Sequence, residues 1–489
     1  VFAVGDADQS IYRWRGADYR NVLRFEQDFA DAQVIMLEQN YRSTQNILDL
    51  ATAVIDRNTH RTPKQLFSER GPGAKISLHM AYDDRVEAAY VVEKIVELIA
   101  KGKRQPGDFA VMYRTNAQSR LLEEAFLHHG LRYKLVGAQR FYGRREVKDI
   151  IAYLRLVHNP QDEISLLRIL SVPPRGIGDK TLTEIRMRAK QAGLTPGAWL
   201  LEVGAQADSP LLDDLAGRTA NAVQRFARLL HRWAAGRAQK TPLELMDQIL
   251  DDVDYQAYID DGTDEGHERW ENLMELRRLA ADFQREDLAA FLEQVALVSD
   301  QDTLDENDNV PTLLTLHAAK GLEFPVVFIV GLNDGALPHS RSFDDVEAME
   351  EERRLFYVGI TRAEDRLLLV YAQNRSAYGF AEPSAPSRYL HELPEDLLDA
   401  PPEFYSSPTE RRSVRAFQSM RWGESANSAA AIVQPRYHPG MRVEHPVWHE
   451  GMVLNSRVQN DDEIVDVFFE SVGLKRVAAS LANLEILPS

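Results

Sequence analysis

Thirteen residues near the start, Gly5-Asp-Ala-Asp-Gln-Ser-Ile-Tyr-Arg-Trp-Arg-Gly16-Ala17, mix groups that sense phosphate with groups that hold a base. Gln9 is neutral and both donates and accepts, so it can hold a water and a phosphate oxygen alike. Arg15 can meet a phosphate with two parallel hydrogen bonds. Tyr12 and Trp14 are aromatic faces among charges, a platform on which a base can stack. A second run, Pro173-Pro-Arg175-Gly176-Ile177-Gly178-Asp179-Lys180, opens a helical pattern. Its glycines permit close backbone approach, and free N–H groups at a helix start attract phosphate. Taken singly, each has a plainer alternative: core aromatics, a surface ion pair, an N-terminal turn.

Composition narrows the chemistry. The 489 residues include no cysteine, which excludes disulfides, thiolate metal sites and a thiol nucleophile. No window is apolar for the roughly 18 residues a membrane span needs, and a cytoplasmic setting fits. Net charge is −18, which taken alone argues against nucleic acid. Yet the footprint is local. Residues 131–190 carry 13 Lys+Arg against 6 Asp+Glu, whereas 250–309 is acidic. Such segregation suits a basic face on an acidic protein, or simply two solvated helix faces.

The elements that must position these residues follow from periodicity. Residues 1–5 and Val34–Leu37 read as strands, 17–30 and 44–57 as helices. Strands at 76–80 and 109–113 then alternate with helices at 84–101 and 116–129, the pattern of a parallel sheet with helices on its faces. From about 145 to 300 amphipathic windows dominate: 146–158, 163–170, 179–192, 219–236, 242–260, 267–283 and 287–298. Buried-strand patterns return at 312–316, 325–331 and 367–371. The expected fold is therefore an α/β parallel-sheet domain interrupted by an all-helical insertion. Residues 401–437 read as a linker. Short alternating strands at 442–444, 451–455, 463–469 and 475–478 suggest a small SH3/Tudor-like β-barrel over 438–489, with Trp448, Phe468 and Phe469 in its core.

Several of these segments, in order, resemble the motifs of the UvrD/PcrA/Rep group of superfamily 1 DNA helicases. Gly5–Ala17 is similar to motif III and Leu37–Thr44 to motif IV. Leu314–Phe324 is similar to motif V and Glu352–Ala363 to motif VI. Phe109–Arg120 and Arg140–Asp149 match further family segments. The resemblance covers nearly the whole chain. It implies a RecA-like domain of the P-loop NTPase type over 35–134 and 303–400. It also implies a remnant of a first such domain over 1–34 and a 2B-type helical insertion over 135–302.

The resemblance further implies roles. Gln9, Arg42 and Arg362 would act on the γ-phosphate of ATP, the two arginines as cations reaching it across a cleft. Tyr41 would stack on adenine, Glu323 would accept from the ribose hydroxyls, and Arg15 would help hold the nucleotide. Tyr12, Trp14, Thr315, His317, Arg114 and Asn116 would meet single-stranded DNA. Arg175, Gly176, Gly178 and Lys180 would touch duplex backbone. Arg42 is expected after a strand and Arg362 before a helix. ATP and Mg²⁺ are the implied cofactors, and DNA the partner, with RNA polymerase or repair proteins at the C-terminal barrel.

The chain opens Val-Phe-Ala-Val-Gly-Asp without methionine, and no G-x-x-x-x-G-K-[ST] loop occurs. The expectation is a member lacking its N-terminal segment, whose phosphate-loop lysine and magnesium ligands lie elsewhere, so that this polypeptide alone is inactive as an ATPase. The implied activity is ATP-dependent 3′→5′ translocation and unwinding. A helicase–nuclease subunit is disfavoured, because a short β-barrel stands where a nuclease domain would be; the other alternative is a non-catalytic DNA- and polymerase-binding module.

Overall fold

The computed structural model describes residues 2–13, 16–18, 20–59, 61–206, 209–212, 215, 217–283, 287–299, 309–377, 380–400, 404, 441–445, 449–459, 462–469, 473–478 and 485–486. Trp14, Arg15, Trp448 and the linker 401–437, apart from residue 404, lie outside them, as do the side chains of Phe468 and Phe469. The chain divides into two compact units, Val1–Pro408 and Thr409–Ser489.

The first unit begins with two helical turns, α1 (Arg20–Leu23) and α2 (Phe25–Asp28), followed by α3 (Gln45–Ile55). Strand and helix then alternate: β1 (Ile76–Asp83), α4 (Asp84–Ala100), β2 (Phe109–Tyr113), α5 (Ser119–His128) and β3 (Lys134–Val136). After a helical insertion come β4 (Thr312–Thr315), β5 (Phe324–Ile329), α15 (Val346–Ile360), β6 (Ala363–Ala377), β7 (Phe380–Pro383) and β8 (Leu398–Asp399). The strand order is β3-β4-β2-β5-β6-β1-β8, all parallel, with β7 antiparallel to β6.

Covered parallel sheets are buried on both faces, and β2 is buried at all five positions. Its residues alternate between two cores. Ala110 and Met112 pack with Leu50 of α3 and Phe356 of α15, while Phe109, Val111 and Tyr113 pack with Ile95 of α4 and Phe126 of α5. Local chemistry starts the helices: the Asp83 carboxylate accepts from the Val86 N–H and caps α4.

The inserted helices among the described residues are α6 (Arg145–His158), α7 (Glu163–Ile169), α8 (Asp179–Gln191), α9 (Pro196–Ala205), α10 (Gly217–Gly236), α11 (Pro242–Asp252), α12 (Tyr255–Ile259), α13 (Asp264–Ala281) and α14 (Leu288–Ser299). They build a core of their own around Trp199, Trp233, Tyr153 and Phe226. Polar pairs join this body to the sheet. Arg120 of α5 donates to Glu275 of α13 at 2.8 Å, and Arg144 donates to Asn272 at 2.7 Å and to Ser119 at 2.8 Å.

Residues 2–5 and Val34–Leu37 are not strands, and Phe2, Val4, Ile35 and Leu37 are largely exposed. An apolar run becomes a strand only where a neighbour offers N–H and C=O groups, and neither run pairs with the sheet. The helix expected over 17–30 is two single turns. The window 242–260 breaks at Asp254, whose backbone is left-handed at φ 51°. Helix α9, capped by Thr195 with Pro196 at its first position, escapes the periodicity because apolar residues ring it. Arg362 follows helix α15 and enters strand β6, so it stands after a helix rather than before one. Arg42 follows an isolated bridge between Gln39 and Phe67 instead of a strand.

The second unit is a five-stranded antiparallel sheet of β9 (Arg442–His445), β10 (His449–Gln459), β11 (Asp462–Phe469), β12 (Gly473–Ala478) and β13 (Glu485–Ile486), in the order β12-β11-β10-β9-β13. Val443, Val453, Val465 and Val467 are buried.

Candidate active site

Glu323 directly precedes β5 and Arg362 directly precedes β6, so both stand at the amino ends of their strands. Three sequence-flagged residues converge near the start of β6. The Asn40 side chain accepts from the N–H groups of Arg42 and Ser43 at 2.9 and 2.8 Å, folding this stretch into a tight turn. The Ser43 hydroxyl donates to the Ala363 carbonyl at 2.7 Å, pinning the turn to β6. Arg42 then donates to Glu323 at 2.6 Å and to the Thr361 carbonyl at 3.2 Å.

Arg362 is 3% exposed. It donates to the carbonyls of Val358 (3.0 Å) and Leu322 (3.2 Å) and to the Thr361 hydroxyl (3.1 Å). Burial, then the neighbouring Arg42, pushes its pKa down to about 10. It remains charged at neutral pH. The hydrogen bond from Arg42 holds Glu323 below the usual carboxylate range. Arg42 pairs with Glu323, whereas the hydrogen bonds of Arg362 go to neutral oxygens, so an incoming anion would give that buried guanidinium a charged partner. Beside it Tyr41 is 78% exposed, and its hydroxyl donates to Gln39 at 2.8 Å.

The Gly5–Ala17 run packs against α15, whose Arg354 donates to the Ser10 carbonyl at 3.0 Å. Asp6 caps the turn Ala7–Gln9 through the Asp8 N–H, and Gln9 donates to the other Asp6 oxygen at 2.7 Å. Lys64 bridges Asp6 (2.6 Å) and Asp8 (3.1 Å), and Arg61 adds a 3.0 Å pair to Asp8. Burial opposes the charge on Lys64, but Tyr357, Asp6 and Asp8 outweigh it and raise its pKa.

Lys320 donates to the Gln9 carbonyl at 2.9 Å and lies 5.2 Å from the Tyr12 ring. Tyr12 donates to the His317 carbonyl at 3.1 Å. Thr315 ends β4, where its hydroxyl accepts from the Ala318 N–H at 3.3 Å. Gln9, Tyr12, Thr315 and His317 thus form one surface with the loop after β4. Lys64, Asp6 and Lys320 were not singled out from sequence. Of these only Asp6 and Lys320 lay inside quoted motifs; Lys64 carries no local signal.

Other flagged residues are placed differently. Arg114 is turned inward and grips Glu352 of α15 with contacts of 2.7–3.1 Å, so it is not displayed as a free cation. The pairing outweighs burial at both ends, raising Arg114 and lowering Glu352. Asn116 donates to Glu268 of α13 at 3.1 Å. His339 lies 3.2 Å from Glu271 of the same helix, which Arg341 also meets. Arg175 also points inward, donating to the Ile169 carbonyl at 2.6 Å and lying 4.9 Å from the Phe226 ring. The end of α7 and the core of the insertion consume it. Gly176, Gly178 and Lys180 stay exposed at the start of α8; Gly176 has φ +75°, which a side chain would strain.

Sequence comparison places this sheet and its helical insertion in a family. Residues 35–374 match the UvrD-like helicase C-terminal domain, residues 1–30 the UvrD/REP helicase N-terminal domain, and 440–485 the PcrA/UvrD tudor domain. The chain belongs to the UvrD-like helicase family. It is 41% identical over 498 residues to the ATP-dependent DNA helicase PcrA of Bacillus subtilis (strain 168), covering 99% of this chain and 66% of that one. The PcrA of Staphylococcus epidermidis (strain ATCC 12228 / FDA PCI 1200) is 38% identical over 496 residues, covering 98% and 66%. That of Staphylococcus aureus (strain NCTC 8325 / PS 47) is 37% identical over 495 residues, covering 99% and 66%. The chain thus spans 66% of the length of these relatives.

Proposed function

We propose that this protein couples ATP hydrolysis to 3′→5′ movement along single-stranded DNA and to unwinding of the duplex ahead. The observation that carries the reading is Arg362, a buried guanidinium held by neutral oxygens beside the Arg42–Glu323 pair and an exposed tyrosine. A triphosphate would draw Arg42 and Arg362 to its γ-phosphate, releasing Glu323 to the ribose hydroxyls, with adenine on Tyr41. Cations that meet the charge developing on a transferring phosphoryl group are worth about 10³–10⁵ in rate. Lys320 ties Gln9 to the loop carrying His317, so a change at the phosphate reaches the surface proposed for the single strand.

Magnesium accompanies the nucleotide in this reading. Among the described residues no three carboxylates or histidines converge as a metal site, so none is assigned to the ion and no step is routed through it. Gly176, Gly178 and Lys180 are proposed at duplex backbone, and the antiparallel unit at a protein partner such as RNA polymerase. No described helix is long and apolar enough to cross a membrane; a cytoplasmic location is proposed with the DNA partner.

ATP hydrolysis by the complete gene product, with and without single-stranded DNA, tests the reading. DNA should stimulate turnover, and Arg362→Ala should lower it by about 10³–10⁵ while ATP still binds. Turnover unmoved by the substitution refutes the arginine assignment. No response to DNA refutes the motor and favours a binding module.

A further inference from the structure

Helix α10 carries a feature that the reading above does not use. Residues 217–240 hold five arginines and one lysine and no acidic residue, in a chain of net charge −18. The buried face of α10 is Ala222, Val223, Phe226, Ala227, Leu230 and Trp233. Its exposed face presents Arg218, Asn221, Arg225 and Arg228. Their spacing of three, four and three residues sets them in one row along the axis, spanning about 15 Å at 1.5 Å per residue. Elsewhere surface arginines meet carboxylates one turn away, as Arg188 does with Glu184 and Arg269 with Glu265. Arg218 and Arg225 pair with no carboxylate among the described residues. Arg232, further along, is tied to Asp252 at 2.5 Å and takes no part.

The row forms one wall of an open groove of about 950 Å³ whose other side includes Ser209. Ser209 is 5% exposed, and among the described residues its hydroxyl has no hydrogen-bond partner; the side-chain oxygen of Gln224 in the same groove has none either. Gln224 is held rigidly by donating to the carbonyls of Val203 (3.0 Å) and Gln206 (2.8 Å). A buried polar atom without a partner is costly. An oxyanion would satisfy the Ser209 hydroxyl, and a water or sugar hydroxyl the Gln224 oxygen.

We propose that this groove binds the sugar–phosphate backbone of a nucleic acid, as a site separate from the Gly176–Lys180 loop. Arg218, Arg225 and Arg228 contact successive phosphates and Ser209 donates to one of them. A sequence-indifferent row of cations suits a protein that engages any sequence, so the proposal rests on the DNA-motor reading. It favours nucleic acid over an acidic protein because the cations are strung linearly.

The test compares the full 489-residue chain with its Arg218→Gln/Arg225→Gln/Arg228→Gln variant, checked for unchanged helicity by circular dichroism. Binding to a blunt duplex, to a single strand and to polyglutamate is measured across salt concentrations. The slope of log affinity against log salt falls by about 0.9 per lost phosphate contact for duplex and about 0.7 for single strand. We expect a drop of about 2–3 for whichever DNA form occupies the groove, with the other form little changed; either form supports the site. Equal slopes and affinities in both proteins overturn it. Arginine-dependent binding of polyglutamate in preference to both DNAs overturns it in favour of an acidic protein. Failure of the motor reading shows separately, as ATP turnover in the complete gene product that ignores DNA.

Discussion

Glu275 of α13 sits between Arg120 of α5 and Arg278 of its own helix, at 2.8 and 3.0 Å. It is 5% exposed and Arg120 3%. The pair joins two bodies with separate cores, so its loss should loosen the joint between insertion and sheet before either body melts. Removing one partner of a buried ion pair costs about 3–5 kcal/mol, because the other charge is stranded. Glu124 still meets Arg120 at 2.9 Å, which places Glu275→Ala near the lower end, about 3 kcal/mol. At 1.4 kcal/mol per tenfold, that is an increase of roughly 150-fold in amide hydrogen exchange along α5 and α13, where exchange proceeds by local opening. Burial works to raise the pKa of Glu275, but Arg120 and Arg278 outweigh it and hold it below the ordinary value. A depressed carboxylate contributes stability that is fully present above its unfolded pKa, about 4.3, and is lost as pH falls through the folded value. The difference between wild type and Glu275→Gln should therefore be constant near neutrality and shrink below about pH 4.3. Exchange in Glu275→Ala within threefold of wild type, or a difference that does not shrink with acid, would refute the argument.

Arg175→Ala should leave DNA affinity and its salt slope unchanged, because Arg175 faces the Ile169 carbonyl and the Phe226 ring. It should instead destabilise the insertion by about 2 kcal/mol, read as an earlier thermal transition; a lower salt slope would return Arg175 to the DNA. In Gly204→Ala the added carbon would collide with the Ala227 backbone where α9 crosses α10. Overpacking of this kind costs about 1–3 kcal/mol, so a variant as resistant to urea as wild type would contradict the close approach. Lys64→Met removes the cation shared by Asp6 and Asp8 and leaves two carboxylates facing each other. The turn bearing Gln9 should become more accessible to protease, and protection equal to wild type would show that Arg61 suffices to hold it.

What the sequence disclosed and withheld follows from where each residue's partner lies. Helix α6 and strand β2 were readable because their apolar period is written within a dozen residues. The segments at 2–5 and Val34–Leu37 carry the same apolar signal, but a strand is completed by a neighbour, and no local pattern names one. Among site residues, Arg42, Glu323 and Arg362 stood out as motif members and meet in space although up to 320 positions separate them. Arg114 and Arg175 stood out equally, yet each is consumed by an inward partner, Glu352 or the Ile169 carbonyl. An arginine in a motif looks the same whether it meets a ligand, a carboxylate or a helix end; only the groups opposite it decide. The row on α10 shows the converse. Its spacing was visible in the sequence, but only the groove beside it and the unsatisfied Ser209 hydroxyl distinguish it from an ordinary solvated face.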